Sequence, residues 1–223
     1  MEKFSKKRQM KYFEMPTALS EADAVILANG DFPKHEVPLS ILRNSNYLVC
    51  CDGAINKLKH TNIEPQAIVG DCDSLGVESK ERYAKILFRN PDQETNDLTK
   101  AVNYCLEKGM SNLIILGATG QREDHTLGNI SLLLEYMNEA TVQMITDFGI
   151  FTPVDSDSRF ESFAGQQVSI FTVAEGEITT HNLKYPVHKR TFTNWWQGTL
   201  NEAESDEFSI ETNAKLVLFR IFK

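Results

Sequence analysis

Leu113-Ile114-Ile115-Leu116-Gly117-Ala118-Thr119-Gly120-Gln121-Arg122-Glu123-Asp124-His125 runs from an unbroken apolar stretch into a glycine-bounded polar loop and on into a helical pattern. An apolar run without alternation belongs to a strand covered on both faces. After the loop, Leu127, Ile130, Leu133, Leu134 and Met137 recur at helical spacing, which predicts a helix over residues 124–138 with that set facing inward. Asp124, His125 and Asn129 then fall in its first two turns. Similar apolar runs stand at 24–28, 47–50, 67–69 and 86–88, separated by helical patterns at 39–42, 54–60, 79–85 and 96–108. This alternation predicts an α/β domain over residues 1–140, built on a doubly wound, mostly parallel sheet.

Beyond residue 140 the pattern changes. Segments 141–145, 149–153, 167–173, 178–180, 208–211 and 215–222 are short and extended, parted by turn residues, with no long amphipathic helix among them. Such spacing predicts a C-terminal antiparallel β-sandwich over residues 141–223.

At 223 residues the chain is long enough for a sizeable core, and 41 % hydrophobic with 24 % charged residues is a globular composition. No apolar run reaches the 18 or so residues of a membrane span, and basic Met1 to Lys11 leads into Tyr12-Phe13-Glu14-Met15-Pro16 rather than into a secretory apolar stretch. That segment reads as a solvated leader, and the compartment is expected to be cytoplasmic, away from membranes. Four cysteines are too few for a disulfide framework at this length. A net charge of -8 argues against nonspecific nucleic-acid binding. It leaves room for a phosphate ligand, whose field a metal ion and local cations can offset.

Four polar clusters interrupt the core sequence: Cys51-Asp52-Gly53, Gly70-Asp71-Cys72-Asp73-Ser74, Asp97 with Lys100, and the loop from Gly117 to Asn129. Three follow an apolar run directly. Open parallel sheets bind ligands beyond the carboxyl ends of their strands, so the carboxylates are expected to share a cleft. Two carboxylates about 4 Å apart repel by roughly 4 kcal/mol at an effective dielectric near 20, and a cation must offset that. Hard oxygen donors without a thiolate or imidazole cluster point to Mg²⁺, which completes its shell with phosphates.

Each cluster also has a plainer explanation. Asp71 and Asp73, two apart on an extended chain, reach one side and one metal, or else serve a turn marked by Gly70. Asp97 and Lys100 form a first-turn pair, aimed into the cleft or only at each other, with Thr95 or Asn96 capping the helix. Backbone N–H groups of the Gly117–Gly120 loop can cradle phosphate, and Arg122 adds a forked donor. His125 alone would cap or pack.

In their order, Cys-Asp-Gly-Ala, Gly-Asp-Cys-Asp-Ser, Asp-Gln-x-x-x-Asp-x-x-Lys-Ala and Gly-x-x-Gly-x-Arg-x-Asp-His-x-x-x-Asn resemble the thiamine pyrophosphokinase family. The likeness extends over nearly the whole chain, through Asn182-Leu183-Lys184-Tyr185-Pro186 and Ser205-Asp206-Glu207-Phe208. It implies an α/β nucleotide domain, a C-terminal β-sandwich, and a homodimer with active sites at the subunit junction. It also implies transfer of the diphosphoryl group of ATP to the hydroxyl of thiamine, leaving AMP. On the matching positions, the resemblance makes Asp71, Asp73 and Asp97 metal-binding and catalytic, with Lys100 catalytic beside them. Asp52, Gly117, Thr119, Gly120, Arg122, Asp124 and His125 fall to the nucleotide, and Tyr185, Ser205 and Asn129 to thiamine. Trp195 and Trp196 read as core or dimer contacts, or as further thiamine contacts.

Ala118, Gln121 and Asn182 stand where the family usually has glycine, and Asp206 stands for asparagine. Asp-x-Asp after a strand also serves phosphatases and nucleotide-sugar transferases, and the altered glycine loop suits a non-catalytic nucleotide- or thiamine-binding module. These alternatives remain beside the kinase reading.

Overall fold

A computed structural model describes residues 10–73 and 75–223; Ser74 and most of the basic leader, residues 1–9, lie outside the described residues. The chain divides into two compact units, one of Pro16–Thr152 and one joining the segment up to Met15 with Pro153–Lys223. A short strand, β1 (Lys11–Phe13), belongs to the second of these.

In the first unit β2 (Ala24–Leu27), α1 (Glu36–Arg43), β3 (Leu48–Cys51), a 3₁₀ helix (Asp52–Leu58), β4 (Ala67–Gly70), α2 (Val77–Arg82) and β5 (Leu87–Arg89) follow in turn. Then come α3 (Asp97–Glu107), β6 (Asn112–Leu116), α4 (Glu123–Tyr136), β7 (Thr141–Ile145) and β8 (Gly149–Val154), whose last two residues already belong to the other unit. Within this unit the strands lie in the order β8-β7-β6-β2-β3-β4-β5, parallel from β7 to β5, with β8 antiparallel to β7. Every residue of β2, β3 and β4 is buried, which is why these strands read as unbroken apolar runs. α3 packs on β2, β3 and β4 through Leu98, Ala101, Val102 and Cys105, and Gly109, at φ 78°, follows its end.

Three expectations shift. The change of pattern near residue 140 does not mark the division, because β7 pairs parallel with β6 from Asn112↔Thr141 to Leu116↔Ile145. The units part between Thr152 and Pro153. Leu127 does not face inward; it is 51 % exposed, and the buried side chains of α4 are Leu133, Leu134 and Tyr136 in its later turns. The helical pattern at 54–60 is a tighter 3₁₀ coil that starts at Asp52, directly after β3.

The second unit continues with β9 (Ser158–Glu161), β10 (Gln167–Thr172), β11 (Ile178–His181), β12 (Asn201–Glu202), β13 (Glu207–Thr212) and β14 (Leu216–Ile221). One layer has the order β1-β9-β13-β11, with β1 parallel to β9 and the rest antiparallel. In the other, β10 lies antiparallel between β12 and β14. Phe160, Phe208, Ile178 and Ile210 of the first layer share one apolar core with Val168, Ile170, Leu216 and Leu218 of the second. This is the expected β-sandwich, with β1 added to it.

Candidate active site

The carboxyl ends of the parallel strands open on a cleft of about 590 Å³, within the size range of small-molecule sites. Asp71, Asp97, Lys100, Gly120, Arg122, Asp124, His125 and Asn129 line it together. Three of the four polar clusters therefore meet in one place, and Cys51 of the remaining one lines the cleft beside them.

Asp97 opens α3, and Asn96 caps the helix by accepting a hydrogen bond from the Thr99 N–H at 2.8 Å. One turn on, the buried Lys100 Nζ donates to Asp97 Oδ1 at 3.3 Å. Gly70, the last residue of β4, sits so close to both acidic neighbours that a Cβ there would lie 2.6 Å from the Asp52 Cβ and 3.4 Å from Asp97 Oδ1. Asp52 is buried beneath this group and does not line the cleft. The Asp71 carboxyl lies below the usual carboxylate range, chiefly because the Asp73 N–H donates to it at 3.0 Å. Partial desolvation opposes this; the Gln93 side chain, the Lys100 charge and a hydrogen bond with Asp52 assist it.

Asp71 and Asp73 do not stand side by side on an extended chain. Cys72 between them takes φ 66°, so the chain turns. Asp71 lines the cleft, whereas the Asp73 side chain is 75 % exposed, outside the lining, with Arg89 Nη2 3.9 Å away.

On the opposite wall, the loop after β6 is zipped to the loop after β2. The Gly30 N–H donates to the Gly117 carbonyl at 2.6 Å, and the Asp31 N–H to that of Thr119 at 2.8 Å. No side chain fits between them: a Cβ on Gly30 would lie 2.3 Å from the Thr119 oxygen. Lys57 Nζ and Gln121 Nε2 both donate to the Gly30 carbonyl, and Asn129 Nδ2 holds that of Ala118 at 2.8 Å. Gly117 and Thr119 thus shape the loop without lining the cleft. Arg122 precedes α4 and grips Asp124 with two bonds, Nε to Oδ1 at 3.0 Å and Nη2 to Oδ2 at 2.5 Å. That grip holds the Asp124 carboxyl down to about 2. Asp124 also accepts the His125 N–H at 2.9 Å.

Asn29 and Gly30 line the cleft as well without belonging to any of the four clusters, and so does Gln93, which stands in the Asp-Gln-x-x-x-Asp motif without an expected role. Asn29-Gly30-Asp31 carried a usable signal, since it follows an apolar strand just as the other clusters do. Lys57 carried none, because its target is a main-chain carbonyl.

Tyr185 and Ser205 belong to the sandwich unit. The Tyr185 side chain is largely exposed, while its backbone is clamped by both polar atoms of the Asn201 amide at 3.1 and 2.8 Å. Ser205 Oγ donates to the Glu207 carbonyl at 2.8 Å. Asn182 and Gln121 adopt left-handed φ of 61° and 62°, where glycine is least strained. Asparagine tolerates that region better than glutamine.

Among the described residues, no three His, Cys, Asp or Glu side chains converge as a preformed metal cage. Mg²⁺ does not require one: one or two carboxylates suffice when water and phosphates complete its octahedron. Asp71 and Asp97, hard oxygen donors on one cleft wall, fit that ion.

Residues 39–145 match the family described as thiamin pyrophosphokinase, catalytic domain, and residues 149–219 match thiamin pyrophosphokinase, substrate-binding domain. Thiamin pyrophosphokinase 1 of Caenorhabditis elegans is 31 % identical over 117 residues, 48 % of this chain and 48 % of that protein. Thiamine pyrophosphokinase 1 of Oryza sativa subsp. japonica is 31 % identical over 157 residues, 59 % of each. The chain thus spans about half the length of these relatives. The crystal structure of thiamine pyrophosphokinase from Bacillus subtilis superimposes with a TM-score of 0.74 at 20 % identity, covering 90 % of this chain and 99 % of that one. For thiamin pyrophosphokinase from Candida albicans the TM-score is 0.77 at 17 % identity, over 96 % and 93 %; at such identities these two likenesses speak to the fold. With the catalytic and substrate-binding matches lying one after the other on the two units just described, the chain belongs to the thiamin pyrophosphokinase family.

Proposed function

We propose that this chain is a thiamine diphosphokinase, moving the diphosphoryl group of ATP onto the hydroxyl of thiamine to give thiamine diphosphate and AMP. The observation that carries the reading is the meeting of Asp71, Asp97, Lys100 and Arg122 around one cleft beside a glycine-bounded loop, in a chain of this family. The thiamine oxygen bonds to the β-phosphorus, and the bridging oxygen between the α- and β-phosphorus atoms leaves with AMP. The hydroxyl proton passes to a cleft aspartate.

Phosphoryl transfer needs alignment and charge stabilisation more than covalent help from the protein. Lys100, shut from bulk water, neutralises phosphate charge at short range, and Asp97 fixes its position. Arg122 spends two N–H groups on Asp124 and keeps its others for phosphate. Loop glycines let the backbone approach the ligand, and Gly117, Thr119 and Gly120 shape that wall, while Asp52 supports the acidic side from beneath Gly70. When bound, Mg²⁺ would offset negative charge between Asp71, Asp97 and the phosphates; Asp73 shares this assignment on its motif alone. His125 and Asn129 complete the cleft side.

We assign thiamine to Tyr185, whose exposed ring can stack on an aromatic heterocycle, and to Ser205, with Asn129 contributing. We further infer a homodimer with active sites at the subunit junction. Its support is exposed apolar surface on each unit: Leu127 on one, and Trp195, Leu200 and the 69 % exposed Trp196 on the other. A cytoplasmic setting suits the four free cysteines, and no helix among the described residues is long and apolar enough to cross a membrane.

The test is an incubation of the purified protein with Mg-ATP and thiamine, followed by separation of nucleotides and thiamine esters. AMP and thiamine diphosphate should rise in equal amounts only when both substrates are present. ADP with thiamine monophosphate would overturn the proposal, and light scattering of the same protein should give twice the chain mass.

A further inference from the structure

Asp71 reaches the cleft from a turn that its own sequence does not favour. Cys72, next to it, holds φ 66°, a left-handed region that strains a side-chain-bearing residue. Such a conformation persists only where neighbours over-determine it. Within the turn, the Asp73 N–H bonds Asp71 Oδ1 at 3.0 Å and the Cys72 thiol points to the Gly70 carbonyl at 3.6 Å.

The outside support comes from β5. Gly70 and Arg89 are register partners in the parallel β4–β5 pair, and the Asn90 N–H bonds the Gly70 carbonyl at 2.8 Å. Register therefore delivers the Arg89 side chain alongside the turn that leaves β4. Its Nε donates to the Asp71 carbonyl at 3.1 Å, and its Nη2 lies 3.9 Å from Asp73 Oδ1. One guanidinium thus holds the main chain on one side of Cys72 and faces a carboxylate on the other. A lysine at this place would supply the charge without the fork that addresses both groups.

We propose that Arg89 is a positioning residue: by tying the Asp71 carbonyl and facing the Asp73 carboxylate, it keeps the Cys72 turn in the conformation that presents the Asp71 carboxylate to the cleft. Arg89 does not line the cleft. Its effect passes through Asp71, so it acts on how strongly a divalent cation is held and, through that, on turnover. The link to turnover rests on the diphosphokinase reading; the link to the cation does not.

The test is Mn²⁺, a probe for the carboxylate site, titrated into the nucleotide-free full-length protein and followed by electron paramagnetic resonance of the free ion. Turnover and the thermal midpoint are measured on the same preparations. Arg89→Ala should weaken Mn²⁺ binding about fivefold to tenfold, the scale of one hydrogen bond, and lower turnover at limiting Mg²⁺ more than at saturating Mg²⁺. Because the Arg89 side chain is two-thirds exposed (66 %), its thermal midpoint should stay near that of the parent. Arg89→Lys should stay impaired, and millimolar guanidinium should partly restore Arg89→Ala. Parental Mn²⁺ affinity in Arg89→Ala, or full recovery in Arg89→Lys, would overturn the inference. If the parent shows no diphosphokinase turnover while Mn²⁺ affinity still falls in Arg89→Ala, the functional reading fails and this inference stands; turnover in the parent with unchanged Mn²⁺ affinity in the variant separates the two the other way.

Discussion

Lys100 in the α/β unit and Arg220 in the sandwich are both cations shut from water, at 4 % and 0 % exposure, and their partners differ in kind. Lys100 donates to a single carboxylate oxygen of Asp97 at 3.3 Å and lines the cleft, so N–H groups remain for a ligand. Arg220 spends its guanidinium on main-chain carbonyls, Glu161 at 2.7 Å, Glu14 at 3.1 Å and Phe13 at 3.2 Å, with its charge over the Phe160 ring. Burial pushes Arg220 down to about 10, with Glu161 and Tyr12 opposing, which still leaves it charged at neutral pH. Those bonds tie residues 13 and 14 to β9. A buried cation held by one carboxylate at a cleft keeps donors free for a ligand; one held by carbonyls inside a sandwich fastens the chain to itself.

The comparison breaks first at Lys100. Lys100→Met should lower turnover by about a thousandfold, roughly 4 kcal/mol of transition-state stabilisation. Its thermal midpoint should move little, since the stranded Asp97 carboxylate is partly solvated. AMP release and calorimetry on one sample decide this, and a folded variant with parental turnover would remove Lys100 from the mechanism. Arg220→Met should do the opposite. It strands three carbonyls and should cost the sandwich unit about 3 kcal/mol, read as a lowered urea midpoint, while ATP affinity of the folded protein stays near parental. Equal loss of affinity would erase the distinction.

A third variant sharpens the comparison on the cleft side alone. Gly30→Ala places a Cβ 2.3 Å from the Thr119 carbonyl, so one of the two zipped loops must move. KM for ATP should rise about tenfold or more, with a smaller change in the thermal midpoint.

The smallest effect concerns Arg122 and Asp124, an exposed pair. Its carboxyl is held down to about 2 by the Arg122 fork. A depressed carboxylate keeps its full contribution above its ordinary range near 4 and loses it only as pH falls through the depressed value. The pair should therefore persist unchanged from pH 8 to pH 5. Carbon NMR of the Asp124 side chain should show a midpoint near 2, and one near 4 would mean the fork does not form in solution.

Much of the α/β unit was legible because its strands are buried on both faces, and apolar runs such as Val25-Ile26-Leu27 admit one reading. Asp97 and Lys100 were legible for a related reason, since a first-turn pair after a capped start has a fixed geometry. β9, Ser158-Arg159-Phe160-Glu161, was missed because it alternates between core and solvent over only four residues. β1 was hidden because its partner lies far along the chain, at Ser158 to Phe160. Asp73 was misjudged by treating Cys72 as extended, and no local residue type announces a left-handed cysteine. Arg220 had a faint signal: in β14 it shares the buried alternation of Leu216 and Leu218, yet sequence does not reveal the three carbonyls it meets.

The most direct measurement is a single turnover of ATP labelled with ³²P at the β-phosphorus, with thiamine and Mg²⁺, comparing the parent with Lys100→Met. In the parent the label should move into thiamine diphosphate as unlabelled AMP appears in equal amount, and in Lys100→Met that transfer should slow by about a thousandfold. Label recovered in ADP, or equal transfer rates in the two proteins, would contradict the assignment of diphosphoryl transfer to this cleft.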